Sequence, residues 1–188
     1  MSKILISGYY GFANAGDEAM LTAIIESLRQ VEKNVELTVL SGNPEDTAAK
    51  HQVCSVYRFN PLGIIRAMKD SELIISGGGS LLQDVTSKRS LLYYLSIIGL
   101  GKFFGKKVML FAQGIGPIRA KWARKLTSLV CNEADLITVR DSESAAELIE
   151  MGVKPEKITV TADAVRSLNR GTKECWQNLL QEAGVDVT

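Results

Sequence analysis

The sequence has few of the residues that reveal a metal centre, a disulfide scaffold or a nucleophilic triad. Its three cysteines, Cys54, Cys131 and Cys175, have neither paired nor metal-ligand spacing, which predicts a reducing environment and small buried thiols. The only histidine, His51, follows Lys50 at the end of a predicted short helix, and we expect it on the surface, away from any site. We therefore predict no cofactor and no metal ion.

Charge and hydropathy argue against two further classes of protein. The net charge of +1 gives no electrostatic reason to expect a nucleic acid partner. The most apolar stretch, residues 91–104, is interrupted by two glycines and a lysine and is shorter than the roughly 20 residues of a spanning helix. It predicts a buried helix, or alternatively one that touches a membrane surface through its aromatic residues, Tyr93, Tyr94, Phe103 and Phe104. Because the chain opens with a strand pattern, we expect no targeting segment and a cytoplasmic location.

The stretch from Ser7 to Leu21 combines the end of a strand, a glycine-rich loop and the start of a helix. Its glycine spacing does not match the dinucleotide fingerprint, and the chain contains no P-loop pattern. The helix opens with Asp17 and Glu18, which would repel a phosphate and suit sugar hydroxyls, a metal ion or proton transfer better. Asp17 is equally well explained as the N-cap. We favour a functional role for Glu18 because capping requires only one acid.

Strand and helix patterns alternate along the chain. The predicted strands cover residues 3–7, 36–40, 53–57, 73–76, 108–112, 136–139 and 158–160. Helices are predicted at 17–30, from Pro44, from Pro61 to Met68, and at 88–104, 119–132, 143–151 and 173–183. This alternation predicts an α/β fold with a doubly wound, mostly parallel, Rossmann-like sheet. We expect one domain over residues 1–168 and a linker and helix over residues 169–188.

Several predicted strands end in loops rich in glycine or charge, and in a parallel sheet these loops lie at one edge. Their convergence predicts a ligand cleft. After the strand at 73–76, Gly77, Gly78 and Gly79 could present amides to an anion or form a tight turn. Gln83 and Asp84 follow and could face sugar hydroxyls. The alternatives are a solvated glutamine and an aspartate that caps a helix.

Two more strand ends carry candidate ligand-binding residues. Gln113, followed by Gly114, ends a buried strand with an amide that can both donate and accept, which suits a polyhydroxylated ligand. Arg140 ends another strand, where a guanidinium can hold a carboxylate or phosphate in a bidentate manner. The alternative for Arg140 is an ion pair with Asp141 or another acid. We expect Asp141 itself to be structural, and Ser142 to cap the helix that follows.

Four motifs in this order resemble those of the polysaccharide pyruvyl transferase family, most closely its CsaB-type cell-wall branch. They are Gly8-Tyr9-Tyr10-Gly11 with Asn14-Ala15-Gly16-Asp17-Glu18; Ile75-Ser76-Gly77-Gly78-Gly79-Ser80 with Gln83-Asp84; Gln113-Gly114-Ile115-Gly116-Pro117; and Val139-Arg140-Asp141-Ser142. The resemblance implies the N-terminal half of a GT-B-like enzyme. Such enzymes transfer the enolpyruvyl group of phosphoenolpyruvate to a hexose of a lipid-linked or polymeric saccharide, forming a pyruvate ketal.

Together with the loop patterns described above, the resemblance predicts roles for residues. Catalytic roles fall to Asp17 and Glu18, and substrate binding to Tyr10, Asn14, Gly16, Gly77, Gly78, Gly79, Gln83, Asp84, Gln113, Gly114 and Arg140. The implied partners are phosphoenolpyruvate and the saccharide acceptor, with contact to a membrane surface and no nucleic acid. Two other functions stay open: a glycosyltransferase half-domain that uses a nucleotide sugar, and a non-catalytic domain that binds carbohydrate or a partner protein.

Overall fold

Short apolar runs form the strands and amphipathic stretches form the helices, in the alternation that the sequence predicts. The structure is a computed structural model that describes residues 1–85 and 87–168. The strands are β1 (Lys3–Tyr10), β2 (Glu36–Ser41), β3 (Cys54–Tyr57), β4 (Leu73–Gly77), β5 (Lys107–Gln113), β6 (Leu136–Val139) and β7 (Ile158–Val160). The helices are α1 (Ala15–Val31), α2 (Pro44–His51), α3 (Pro61–Asp70), α4 (Lys88–Phe103), α5 (Lys121–Glu133) and α6 (Ser142–Glu150). The linker and helix predicted within residues 169–188 lie outside the described residues.

The described strands form one sheet in the order β3-β2-β1-β4-β5-β6-β7, and every neighbouring pair is parallel. The first three strands extend the sheet in one direction from β1, and the later strands extend it in the other direction from β4. The doubly wound Rossmann-like fold is therefore confirmed. In such sheets, ligands bind outside the carboxyl ends of the strands where the order reverses, which here is between β1 and β4.

Helices cover both faces of the sheet. Leu5 of β1 packs into a cluster that includes α3, α4, α5 and α6 residues, while its neighbours Ile4 and Ile6 pack with α1. Because successive side chains of a strand point to opposite faces, this division shows that the sheet is buried on both sides. Continuous apolar strands such as Ile4-Leu5-Ile6 are typical of that arrangement.

Short polar side chains set where the helices begin. Asn14 caps α1 by accepting hydrogen bonds from the amides of Gly16 and Asp17. Asp141 caps α6 through the amide of Ser144. The predictions that Asp17 and Ser142 are N-caps were wrong, because each helix starts earlier than its acidic or apolar pattern indicated. The prediction that Asp141 is structural is confirmed.

Helix α4 packs against the sheet, as the first interpretation of residues 91–104 predicted. Leu91 and Tyr94 are buried and Tyr93 is half-buried, whereas Phe103 is exposed. The tyrosines therefore pack towards the interior, as the buried-helix interpretation predicted, and membrane contact stays a prediction for the exposed Phe103. No helix within the described ranges combines the length and apolarity needed to cross a bilayer.

The two cysteines within the described residues differ in burial, while Cys175, also predicted to be buried, lies outside those residues. Cys131 lies in the core, as predicted, and burial raises its thiol pKa to about 12. Cys54 is exposed, so its predicted burial was wrong. It lies at the start of β3, the strand at the end of the sheet, where only one neighbouring strand covers it.

Candidate functional site

A cavity of about 560 Å³ opens at the reversal point of the sheet. Its walls come from the loop between β1 and α1, the loop between β4 and α4, and the first half of α4. They are formed by Tyr9, Asn14, Asp17, Ser80, Leu81, Gln83, Ser87, Ser90 and Tyr94. The volume lies within the range of small-molecule sites. The hydroxyl, amide and carboxyl groups of the walls suit a polyhydroxylated ligand.

Asp17 is the carboxylate that the structure places in this cavity. It is half-buried at the start of α1. Partial burial, and then the neighbouring charge of Glu18, raise the pKa of its carboxyl above the usual range. A carboxyl group in this condition keeps its proton to higher pH and is suited to proton transfer. Asn14 lines the same wall while capping the helix.

Glu18 points away from the cavity. One of its carboxylate oxygens accepts a hydrogen bond of 2.8 Å from the amide of Gly11, and the other lies 3.5 Å from His51 Nε2. The residue is 9% exposed. Glu18 therefore stabilises the loop between β1 and α1 through the Gly11 amide. Its position next to Asp17 in the sequence did not predict this role.

His51 is buried beside Glu18, with 7% of its surface exposed. The prediction of a solvated surface histidine was wrong. Helix α2 carries His51 back against the start of α1, so sequence distance from the loops did not translate into spatial distance. The carbonyl of His51 also accepts a hydrogen bond from Arg29 of α1, which ties the two helices together.

The two neighbouring tyrosines of the first motif have different positions. Tyr10 is fully buried, and its hydroxyl donates a hydrogen bond of 2.6 Å to the carbonyl of Gly77. Burial, and then the charge of Asp17, raise the pKa of this phenol. Tyr9 instead lines the cavity and is 41% exposed. Tyr10 therefore connects the two ligand-facing loops, and Tyr9, which our prediction omitted, is available to a ligand.

Gly77, the last residue of β4, leads with Gly78 and Gly79 into a tight turn against α1. Gly78 and Gly79 have positive φ values of 72° and 74°, which favour glycine. Their amides donate to the carbonyl of Phe111 and to the Met20 sulfur. Because two of the three amides are already engaged, the geometry supports the tight-turn interpretation over an anion-binding row. A Cβ on Gly79 would lie 2.9 Å from an oxygen of Asp17.

Gln83 and Asp84 have separate positions. Gln83 is half-buried in the cavity wall. Asp84 accepts hydrogen bonds from the amides of Arg119 and Ala120, and these bonds lower the pKa of its carboxyl. Ala120, the N-cap residue of α5, has no capping side chain of its own. Asp84 thus caps α5 from another loop, which is the helix-cap alternative given for it in the sequence analysis. It does not line the cavity.

Gln113 lies in the interior. It is 0% exposed, and its Nε2 donates a hydrogen bond of 3.0 Å to the carbonyl of Ser76. The amide that was predicted to face a sugar therefore joins β5 to β4. Gly114 leaves room for the Arg140 guanidinium, because a Cβ there would lie 2.7 Å from its Cζ.

Arg140 reaches the loop after β4 but its charge is largely matched. Its Nε donates to Asp141 at 3.3 Å, and its Nη1 lies 3.7 Å from Asp163. Its Nη2 donates to the Ser80 hydroxyl, which lines the cavity. The ion-pair alternative is confirmed, and the guanidinium supports the cavity from behind Ser80. Gly16 is exposed in the first turn of α1 and does not line the cavity.

Our sequence prediction missed Arg58, which directly follows β3. It is 4% exposed, and its guanidinium carbon lies within 6 Å of the ring centroids of Tyr9, Phe12, Phe59, Tyr93 and Tyr94. The rule that selected Arg140, an arginine at a strand end, applies equally to Arg58. Its flanking aromatic residues, Tyr57 and Phe59, were the additional signal.

The polysaccharide pyruvyl transferase family model matches residues 14–173, a range that begins at the cap of α1 and includes the loops after β4, β5 and β6. The chain belongs to the polysaccharide pyruvyl transferase family. Among curated proteins, none matches the chain. Within residues 1–85 and 87–168, no three histidine, cysteine, aspartate or glutamate side chains are grouped to hold a metal ion.

Solved structures share the fold at low sequence identity. The Anabaena protein Alr3699/HepE, in complex with UDP-glucose, is 14% identical with a TM-score of 0.63 over 98% of this chain and 50% of its own. A glycosyltransferase from Rickettsia africae is 12% identical with a TM-score of 0.56 over 99% and 50%. S. aureus MnaA, solved with UDP, is 15% identical with a TM-score of 0.53 over 96% and 52%. This pyruvyl transferase family member thus spans about half the length of the solved structures that it matches.

Proposed function

We propose that this chain is the N-terminal half of a CsaB-type polysaccharide pyruvyl transferase. The whole enzyme would move the enolpyruvyl group of phosphoenolpyruvate to a hexose of a cell-wall or surface polysaccharide precursor. The family match over residues 14–173 carries the proposal. The polar cavity lined by residues of the first two motifs, including Asn14, Asp17 and Gln83, supports it. In this proposal the reaction takes place in the cytoplasm, at the inner face of the membrane where a lipid-linked acceptor would lie.

The reaction requires a proton donor and a proton acceptor. One proton is added to the methylene carbon of the donor, one sugar hydroxyl adds to the adjacent carbon, the C–O bond to phosphate breaks, and a second hydroxyl closes the ketal. Of the two protons that the hydroxyls lose, one balances the proton taken by the methylene carbon and the other leaves with inorganic phosphate. We assign proton transfer to Asp17, because it is the cavity carboxyl and its pKa is raised. Asn14 and Gln83 would hold sugar hydroxyls from the two loops that line the cavity. Glu18 would act on catalysis only through the loop that it holds.

The coverage of the solved structures supports a half-enzyme. The matches cover almost all of this chain but only about half of each solved structure. In a GT-B-like arrangement, the cleft lies between two Rossmann-like domains. The second domain would supply the remaining cations and the histidine expected for the family.

The proposal is tested by a pyruvyl transfer assay with phosphoenolpyruvate and an N-acetylmannosamine-containing lipid-linked acceptor. The 188-residue chain is assayed alone and together with the C-terminal half of a family member, and both phosphate release and the ketal are measured. We expect product only when both halves are present. Transfer by the chain alone would contradict the half-enzyme proposal.

Adjacent carboxyls provide a matched pair of variants for this assay. We expect Asp17→Asn to lower the transfer rate by about 100-fold or more, the usual range for a lost acid–base group. Glu18→Gln keeps an oxygen for the Gly11 amide, so we expect a change of only a few-fold. Equal losses in both variants, with both proteins folded, would overturn the assignment of Asp17.

A nucleotide-sugar transferase is the second candidate, because the Anabaena structure that shares this fold contains UDP-glucose. Calorimetric titration with UDP-glucose and with phosphoenolpyruvate separates the two. Binding of UDP-glucose, combined with no transfer from phosphoenolpyruvate in the complemented assay, would favour this candidate. A folded chain that binds only free saccharide would instead favour a non-catalytic carbohydrate-binding domain.

A further inference from the structure

The surroundings of Arg58 are unusual for a buried cation. Its Nη2 donates a long hydrogen bond of 3.4 Å to the Tyr94 hydroxyl, and five aromatic rings lie around its guanidinium. Among the described residues, no carboxylate lies within ion-pair distance of Arg58, and its Nε and Nη1 have no hydrogen-bond partner. Buried charges are normally paired, so this guanidinium has unused capacity to bind an anion.

Other unpartnered polar atoms lie in the same place. The Tyr93 ring centroid is 4.4 Å from the Arg58 guanidinium carbon. The Tyr93 hydroxyl and the Ser7 hydroxyl are both buried and lack a hydrogen-bond partner within the described part of the chain. Burial raises the pKa of Tyr93, while Arg58 and Ser7 at its side act to lower it. Arg58, Tyr93 and Ser7 thus form a group that offers hydrogen-bond donors and carries one positive charge.

This group adjoins the cavity. Tyr9 and Tyr94 line the cavity on one side and lie within 6 Å of the Arg58 guanidinium on the other. Tyr9 stacks on Phe12 at 4.4 Å, and each ring is 41% exposed. A shift of this stacked pair would open the guanidinium to a ligand that already occupies the cavity.

We propose that Arg58, with Tyr93 and Ser7, binds a phosphate group of the ligand in the cavity. This proposal rests on the proposed function for its choice of ligand, since both phosphoenolpyruvate and the diphosphate of a lipid-linked acceptor carry such a group. The three side chains recognise the charge and the oxygens of the phosphate. The aromatic rings exclude water and strengthen the contact.

The test is calorimetric titration of the 188-residue chain at constant ionic strength with inorganic phosphate, pyrophosphate, phosphoenolpyruvate and pyruvate. A hydrogen bond to a charged group contributes about 1.5–3 kcal/mol, so Arg58→Gln should weaken binding of the phosphate-bearing probes by about 10- to 150-fold. Arg58→Lys should retain part of the affinity. Preference for phosphoenolpyruvate would indicate the donor, and preference for pyrophosphate the acceptor.

Matched controls separate binding from a structural role. Arg66, an exposed arginine of α3, provides Arg66→Gln, which removes the same charge and should leave affinity unchanged. Tyr93→Phe keeps the ring and removes one donor, so it should weaken binding by about 2- to 10-fold, the range for one ordinary hydrogen bond. If Arg58→Gln does not fold, Arg58→Lys and Tyr93→Phe carry the test.

Several outcomes would overturn the proposal. The first is that wild type and folded Arg58 variants bind the phosphate-bearing probes with equal affinity. The second is that the chain binds pyruvate but none of the phosphate-bearing probes. The third is that no phosphate-bearing probe binds at millimolar concentration. Failure of pyruvyl transfer with Arg58-dependent phosphate binding intact would reject the proposed function but keep this site. Pyruvyl transfer that is active while phosphate binding does not depend on Arg58 would keep the proposed function and reject this site.

Discussion

Arg58 and Arg140 lie at opposite flanks of the same edge of the sheet, after β3 and after β6, and have opposite surroundings. Arg140 is matched by Asp141 and Asp163. Arg58 is enclosed by aromatic rings and, among the described residues, has no carboxylate partner. An arginine at a strand end therefore has no fixed role in this protein. The neighbours that the fold brings to it decide whether its charge stabilises the protein or remains available to a ligand.

The largest expected difference between the flanks is in anion affinity. Arg58→Gln should reduce affinity for phosphate probes by about tenfold or more, whereas Arg140→Gln should reduce it by less than about threefold, because its charge is already matched. Calorimetric titration of both variants under the same conditions measures the difference. A larger loss in Arg140→Gln would reverse the comparison and restore Arg140 as the main anion contact.

A smaller effect, on the free energy of unfolding, is expected when a methyl group is placed against Arg140 and its charge is kept. Gly114→Ala places a Cβ 2.7 Å from the Arg140 guanidinium carbon, at the movable end of that side chain, so we expect the free energy of unfolding to fall by about 1 kcal/mol, the low end of the range for overpacking. Chemical denaturation measures the change.

Gly99 of α4 supplies the control for this crowding, because nothing lies within 4 Å of its added Cβ. In the interior of a helix, Gly99→Ala should raise the free energy of unfolding by about 0.5–1 kcal/mol. If both variants behaved alike, steric contact with Arg140 would not explain the requirement for Gly114.

The smallest expected difference is in acid sensitivity. Hydrogen bonds from Ser144, together with Arg140, lower the pKa of Asp141 in the folded protein. Stability from this group is therefore present above the ordinary aspartate pKa of about 3.9 and is lost as pH falls through the lowered value. Asp141→Asn keeps the cap and should lose less stability than wild type between about pH 5 and pH 3.

Urea denaturation at several pH values measures this effect. The Arg58 flank provides the control, because Arg58→Gln removes no carboxylate interaction among the described contacts. Its stability should change with pH in parallel with that of wild type. An Asp141→Asn curve parallel to wild type would show that the Asp141 carboxylate contributes nothing to acid sensitivity.

The element order and the position of the cleft could be predicted from the sequence. Apolar runs such as Ile4-Leu5-Ile6, together with turn residues and caps, gave nearly every strand and helix of the described residues within a few positions. The alternation of strands and helices then restricts the topology, because parallel connections are right-handed. Glycine-rich loops at the carboxyl ends of β1 and β4 indicated the cleft between them.

The direction of individual side chains could not be predicted in the same way. Asp17 and Glu18 are neighbours in sequence, yet one lines the cavity and the other faces Gly11 and His51. Consecutive residues of a helix lie about 100° apart around its axis, and no local pattern indicates which face meets the site. The same limit applies to the buried amide of Gln113 and to the helix cap formed by Asp84.

Local forces act over a few residues, so the amino-acid order by itself determined the strands, the helices, the doubly wound sheet and the loops at its ligand-binding edge. Only the tertiary structure decided which of the charged side chains remain available. Arg58 becomes an anion-binding candidate because aromatic rings from β1, α4 and two loops enclose it. Arg140 is matched by its sequence neighbour Asp141, as the sequence alternative anticipated, and by Asp163, which the fold brings near. The enclosure of Arg58 depends on contacts between residues distant in sequence, and those contacts form only when the whole sheet assembles.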